Sequence, residues 1–253
     1  MAVQPRNVEF QLDRRPGSSP VVHLTFTPIE SSTTVSDALA LAENAGENAE
    51  IWMHGTTPER RSLVEATGRV SNRTLLKMVS DLPVTKADGT LASSGIETVA
   101  FTNDDVDEFV AVNNRAFSWH PEQSGLTADQ VRNDMAEPWF DADGFRMHWI
   151  DGQLAGFCWT KIHESDDLHQ VSSGADPRVG AIYVIAVDPP FHGQGLGKAM
   201  TLAGLEHITS RGIPIAILYV ESDNAAAVAT YERLGFTVGR EDTLWSPIQK
   251  SAP

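Results

Sequence analysis

The chain has 253 residues, enough for two small domains at about 100–200 residues each. Apolar residues make up 41% and charged residues 21%, an ordinary globular composition, and Asp plus Glu outnumber Lys plus Arg 34 to 19 for a formal net charge of −15. This charge excludes nucleic acid and anionic membranes as expected partners, and it leaves any anionic ligand to be held by local donors.

The single cysteine, Cys158, forbids an internal disulfide and points to a reducing, cytoplasmic setting. Residues 1–9 lack the basic-then-apolar pattern of a signal peptide. The apolar runs 181–187 and 213–220 are too short to span a bilayer.

In chain order, residues 14–20 read as a loop cluster, 21–27 as a strand and 36–43 as a helix capped by Ser36. A short apolar run at 50–54 precedes a helix from Pro58 to about Ala66, with Thr57 as N-cap and Gly68 as its stop. Residues 73–79 read as a strand. The polar stretch 85–95 reads as a linker, and its end, 91–95, divides an N-terminal domain (1–90) from a C-terminal one (96–253). The second part alternates: strand 96–101, a helix capped around Thr102, helix 127–137, and a hairpin of 145–150 and 153–162 about Asp151 and Gly152. After a polar loop at 164–178 come strand 180–187, helix 197–211, strand 214–221, helix 224–234, and two last short strands at 236–238 and 244–248. The order predicts an α/β fold, a mixed sheet with helices on both faces.

Between the buried strand and a helix lies His192, Gly193, Gln194, Gly195, Leu196, Gly197, Lys198. Glycines let a backbone approach a ligand closely, and free N–H groups at a helix start favour an anion. Together they make a pyrophosphate cradle, or else a plain strand-to-helix turn. The spacing fits neither the Walker loop nor the dinucleotide fingerprint. Upstream, the strand ends Ile185-Ala186-Val187-Asp188-Pro189, and downstream Asn224 is followed seven residues on by Tyr231, then Gly235-Phe236. This set resembles the GNAT acetyltransferase family over about residues 96–248. Finer pieces resemble its mycothiol synthase branch: 112–117, 119–123, 137–141, 156–161 and 218–224.

The resemblance implies a GNAT fold, a mixed twisted sheet flanked by helices, preceded here by a shortened, degenerate GNAT-like repeat. It implies acetyl-CoA as co-substrate, no metal, and transfer of acetyl to the cysteinyl amine of desacetylmycothiol, a cysteine–glucosamine–inositol conjugate, in the last step of mycothiol biosynthesis. The chain is expected to act as a monomer. Ile185, Ala186 and Val187 would lie on a splayed strand whose amides bind the pantetheine arm. Residues 192–198 would bind pyrophosphate, and Asn224, Ala225, Ala226, Ala227, Val228 and Ala229 would flank the CoA arm. Tyr231 stands at the general-acid position, while Glu122, Lys161 and Tyr219 match substrate-binding positions. Trp119, Trp139 and Trp159 read as core or cleft wall, and His120, His163 and His169 show no metal-ligand spacing.

Two departures stand out. His192 replaces the loop's first Gln or Arg. Ala181 occupies the position where the family carries its general-base Glu, and a methyl takes no proton. Either the chain is an inactivated form, or another carboxylate such as Glu221 or Glu122 serves, or free amine reacts at raised pH. The rival readings are a GNAT enzyme for another small amine and a non-catalytic acyl-CoA-binding protein.

Overall fold

A computed structural model describes residues 8–13, 20–26, 49–119, 124–166 and 176–248, with 36, 39, 40 and 44 besides. The expected helix 36–43 falls largely outside them, as do most of loops 14–20 and 164–178. The chain forms two compact units, each drawn from separate stretches.

The first unit collects the described residues up to Lys77, Val220–Ala225 and those from Val238 onward. Its strands are β1 (Val8–Asp13), β2 (Val21–Phe26), β3 (Glu50–His54), β4 (Arg69–Asp81, as far as Lys77) and β10 (Thr237–Pro247, from Val238). Their order is β1-β2-β3-β10-β4; β2 runs parallel to β3, and β1 and β10 pair antiparallel with their partners β2 and β3. Period-two alternation buries Val22, Leu24, Ile51 and Met53 on one face, against Trp245 and against Val64 of helix α1 (Pro58–Glu65). Thr57 caps α1, accepting from the Arg60 amide at 3.3 Å. Two short strands were expected at the C-terminus, but β10 is continuous. The polar run 239–242 looks like a turn, yet Asp242 is buried and accepts from Arg240, His54 and the Gly55 amide, so it stays in the ladder.

The second unit spans Met78–Tyr219 and Ala226–Thr237. Its strand order is β9-β8-β7-β6-β5, from β5 (Val99–Ala100), β6 (Phe145–Ile150), β7 (Gln153–His163), β8 (Val179–Val187) and β9 (Ile215–Glu221, as far as Tyr219). All pairings are antiparallel except β8 with β9. Asp151 and Gly152 both have positive φ, which closes the β6–β7 hairpin as a tight two-residue turn. The strand expected over 96–101 shrinks to two residues, because only Val99 and Ala100 pair with β6 at this edge. Residues 85–95, expected as a linker, fold back: Thr85 bridges Leu91, and Ser94 bonds Glu206.

Helices cover both faces of this mixed sheet. On one, α2 (Val106–Ala116) and α3 (Ala128–Met135) pack through Phe109, Val112 and Val131 against Phe145, Phe157 and Trp159. Capping boxes at Thr102 and Thr127 fix where the 3-10 turn leading into α2 and helix α3 begin. On the other face lies α4 (Leu196–Ser210). It comes close because Gly204 and Gly180 leave room: a Cβ on Gly204 would lie 2.5 Å from the Cys158 sulfur. Helix α5 (Ala225–Arg233) leads into β10.

Candidate active site

β8 is the strand on which the site is built. It pairs with β7 along its length, but with β9 only at Gly180, Ala181 and Ile182. The β7–β8 register slips by one between Trp159–Val184 and Thr160–Ile182, so Tyr183 is an extra, bulged residue. Bulge and parting of strands coincide. Beyond them the Asp188 amide donates to the Ala155 carbonyl of β7 at 3.0 Å. Successive amides point to opposite edges, so those of Ile185 and Val187 point away from β7, to the edge β9 has left. The splay expected from the sequence is therefore present, with Tyr183 as its bulge; Ile185, Ala186 and Val187 are half-buried.

The glycine turn follows. Gly193 and Gly195 sit at φ +78° and +79°, and a Cβ on Gly193, Gly195 or Gly197 would meet nothing within 4 Å. Gly195 starts α4 in the left-handed conformation with no side-chain cap, so the first amides of α4 are left to a ligand or solvent. Leu196 anchors the turn in the core, while Gln194 and Lys198 are exposed. His192 Nε2 donates to the Val187 carbonyl at 2.9 Å, tying the turn back to the splayed strand. Asp188, buried between strand and turn, takes a two-pronged bond from Arg115 of α2 at 3.0 and 2.8 Å.

Tyr231 is 8% exposed on α5, edge-on to Phe236. Burial, with Cys158 nearby, holds its phenol well above the ordinary value, so it carries its proton at neutral pH. Cys158 is itself buried and its thiol is pushed up to about 12, which leaves no thiolate to act as a nucleophile.

On the opposite face, Lys161 Nζ lies 3.9 Å from the Trp139 ring centroid and 5.2 Å from that of Tyr183. Lys161 is the cross-strand partner of Ala181. The Ala181 methyl packs with Val179 and Ile217 in a small apolar cluster. Tyr219 is exposed, one residue past the last β8–β9 pair and on the face of Ile217. Ala226, Ala227, Val228 and Ala229 form the first turns of α5; Asn224 and Ala225 belong to the first unit. Glu122 and His120 lie outside the described residues. Glu221 is engaged in the first unit by Arg73, whose Nε donates to it at 2.5 Å. Sequence reasoning passed over Asp134 of α3, whose carboxyl is raised by burial; Glu137 adds to this and Lys161 opposes it. It reads as one more solvated helix carboxylate, and only the fold places it beside Lys161. No group of side chains able to hold a metal occurs among the described residues, and no helix there is long and apolar enough to cross a membrane.

A family model described as "Acetyltransferase (GNAT) family" matches residues 106–236. A mycothiol acetyltransferase of Amycolatopsis mediterranei is 44% identical over 78% of this chain and 65% of its own length. One of a Nocardioides species is 42% identical over 83% of this chain and 72% of its own. The chain thus spans about two thirds of the length of these relatives. Among solved structures, a GCN5-related N-acetyltransferase from Sphaerobacter thermophilus superimposes with TM-score 0.70 at 16% identity, over 95% of this chain and 76% of that one.

Proposed function

Because the chain belongs to the GNAT acetyltransferase family and, within it, to the mycothiol acetyltransferases, we propose that it moves the acetyl group of acetyl-CoA to the cysteinyl amine of desacetylmycothiol. The observation that carries this reading is the parting of β8 and β9 at Tyr183, directly before a glycine-capped helix, in a chain of this family.

The Ile185 and Val187 amides hold the pantetheine arm, and the Val187 region polarises the thioester carbonyl. These donors are aimed in advance at the oxygen that gains charge. The turn from His192 to Lys198 takes the pyrophosphate through backbone N–H groups, which a chain of net charge −15 needs for an anionic ligand. Asn224 and the residues to Ala229 flank the CoA arm. Lys161, Tyr219 and Glu122 bind the hydroxyl-rich glycoside. The amine attacks the thioester directly, the C–N bond forms, the C–S bond breaks, and Tyr231 protonates the departing thiolate. The order β3–α1–β4 supports reading the stretch before residue 91 as a shortened GNAT-like repeat. A monomer in a reducing cytoplasm completes the picture.

The test is turnover by the purified chain with acetyl-CoA and the cysteinyl glycoside, following free CoA thiol and product mass. One acetyl group on the cysteinyl nitrogen is the expected product. Ala181 favours one rival, a non-catalytic acyl-CoA-binding protein. Acetyl-CoA binding in calorimetry without turnover of any amine decides for that rival.

A further inference from the structure

Acetyl transfer to an amine requires a proton acceptor. A free α-amino group has a pKa of about 7.7–8.0, so near neutral pH most of it is ammonium without a lone pair. Position 181 offers a buried methyl, and Glu221 is held by Arg73.

Asp134, in the last turn of α3, is differently placed. It lines a cavity of about 220 Å³ together with Phe109, Asn113, Trp159, Tyr183 and Val184. Tyr183 and Val184 are where β9 has left β8, so the cavity opens at the start of the splayed stretch whose later residues, Ile185 to Val187, the proposed function assigns to the pantetheine arm and the thioester. Among the described residues no hydrogen bond engages the Asp134 carboxylate, and the buried Trp159 indole N–H on the same cavity also lacks a partner. Among the described residues, the charged and titratable groups acting on Asp134 are Lys161 from β7, Tyr183 from β8 and Glu137 just past α3 itself; α2 brings the neutral Phe109 and Asn113 to the cavity. A Glu at position 181 would have stood across from Lys161. With alanine there, the Lys161 charge still acts on a carboxylate, that of Asp134.

Resting on the acetyl-transfer reading, the geometry points to Asp134 as the catalytic residue that takes the proton from the substrate ammonium in place of a side chain at position 181. The ammonium gives one proton to Asp134, and the freed lone pair attacks the thioester carbon. The C–N bond forms and the C–S bond breaks. The thiolate takes the Tyr231 proton, the second nitrogen proton restores the phenol, and Asp134 releases its proton to solvent. Burial raises the Asp134 carboxyl, which makes it a better acceptor than a free aspartate.

Asp134→Asn keeps the shape and removes the acceptor. Its kcat/KM for the cysteinyl glycoside is expected to fall about 10²-fold or more at pH 7. The deficit should shrink above about pH 8, where the amine deprotonates unaided. Acetyl-CoA affinity and melting temperature should match the parent, and Asp134→Glu should recover part of the rate. An Asn variant within twofold of the parent at pH 7 overturns the assignment. So does a deficit that stays constant from pH 6 to 9.5, which is the signature of lost packing. If the parent is silent and Ala181→Glu turns it on, Asp134 is not the base although the acetyl-transfer reading stands. If neither form turns over, that reading falls and this one with it.

Discussion

At the scale of single residues, Tyr231 is separable from its surroundings. Its ring packs against Phe236, while its phenol, kept protonated by burial, is the group that the proposed function makes the donor for the leaving thiolate. Tyr231→Phe retains the ring, so acetyl-CoA affinity should hold while kcat drops roughly 10²-fold. A kcat equal to the parent's, with chemistry rate-limiting, reduces the phenol to packing. Gly204 gives a stability counterpart. A methyl there would lie 2.5 Å from the Cys158 sulfur and 2.9 Å from Ile182 Cδ1, so α4 must lift from β7 and β8. Overpacking of this kind costs about 1–3 kcal/mol, and Gly204→Ala should melt measurably below the parent; an unchanged melting temperature means the gap closes without strain. Tyr231 was legible in the sequence because it stands at a fixed interval after Asn224. Asp134 was not, because its partner Lys161 is 27 positions on and reaches it only through the fold.

At the scale of elements, β8, the glycine turn and α4 work as one piece held from outside by Arg115. Removing the Asp188 charge by Asp188→Asn keeps the volume but breaks a two-pronged bond to a buried carboxylate. A cost of about 1–3 kcal/mol follows, and because the bond sits between the splayed strand and the turn, KM for acetyl-CoA should rise as well. A variant with lower melting temperature but parental KM places the ion pair in the scaffold alone. Gly195→Val acts on the turn itself. The residue sits at φ +79°, which a β-branched side chain resists, and its added carbons stand beside the free amides of α4. Titration should show acetyl-CoA binding weakened about tenfold, equivalent to about 1–2 kcal/mol; unchanged affinity rules the turn out as the cradle. The turn was readable from its glycines. The splay was expected from the resemblance alone, since nothing in 180–187 marks Tyr183 as the bulge. The single strand β10 was misread because Arg240 and Asp242 look like turn residues until His54 and the Gly55 amide are seen to satisfy Asp242.

At the scale of the whole molecule, the sequence divides the chain by composition, whereas the fold gathers three separate stretches into the first unit. No local pattern tells a reader that residues 242–245 pair with residues 51–54. This long-range ladder makes Asp242 a sensor of acid for the first unit. Burial alone would raise its carboxyl. The hydrogen bonds from His54 and Arg240, with that from the Gly55 amide, outweigh burial and leave it below the ordinary carboxylate value. A carboxyl depressed in the folded state stabilises at every pH above its unfolded value, about 3.9, and loses that contribution as pH falls through the lower folded value. Asp242→Asn should therefore cost stability at pH 7, about 1–3 kcal/mol for bonds to a buried charged group. The gap between variant and parent should begin to narrow below about pH 3.9 and close once pH has passed the lower folded value, where the parent carboxyl too is neutral. Melting followed by tryptophan fluorescence from pH 7 to 2.5 reads both, since Trp52 and Trp245 lie in the same unit. A gap that persists unchanged in acid means the loss is one of shape rather than charge. No gap at pH 7 means that the bonds to Asp242 contribute nothing beyond what water supplies in the unfolded chain.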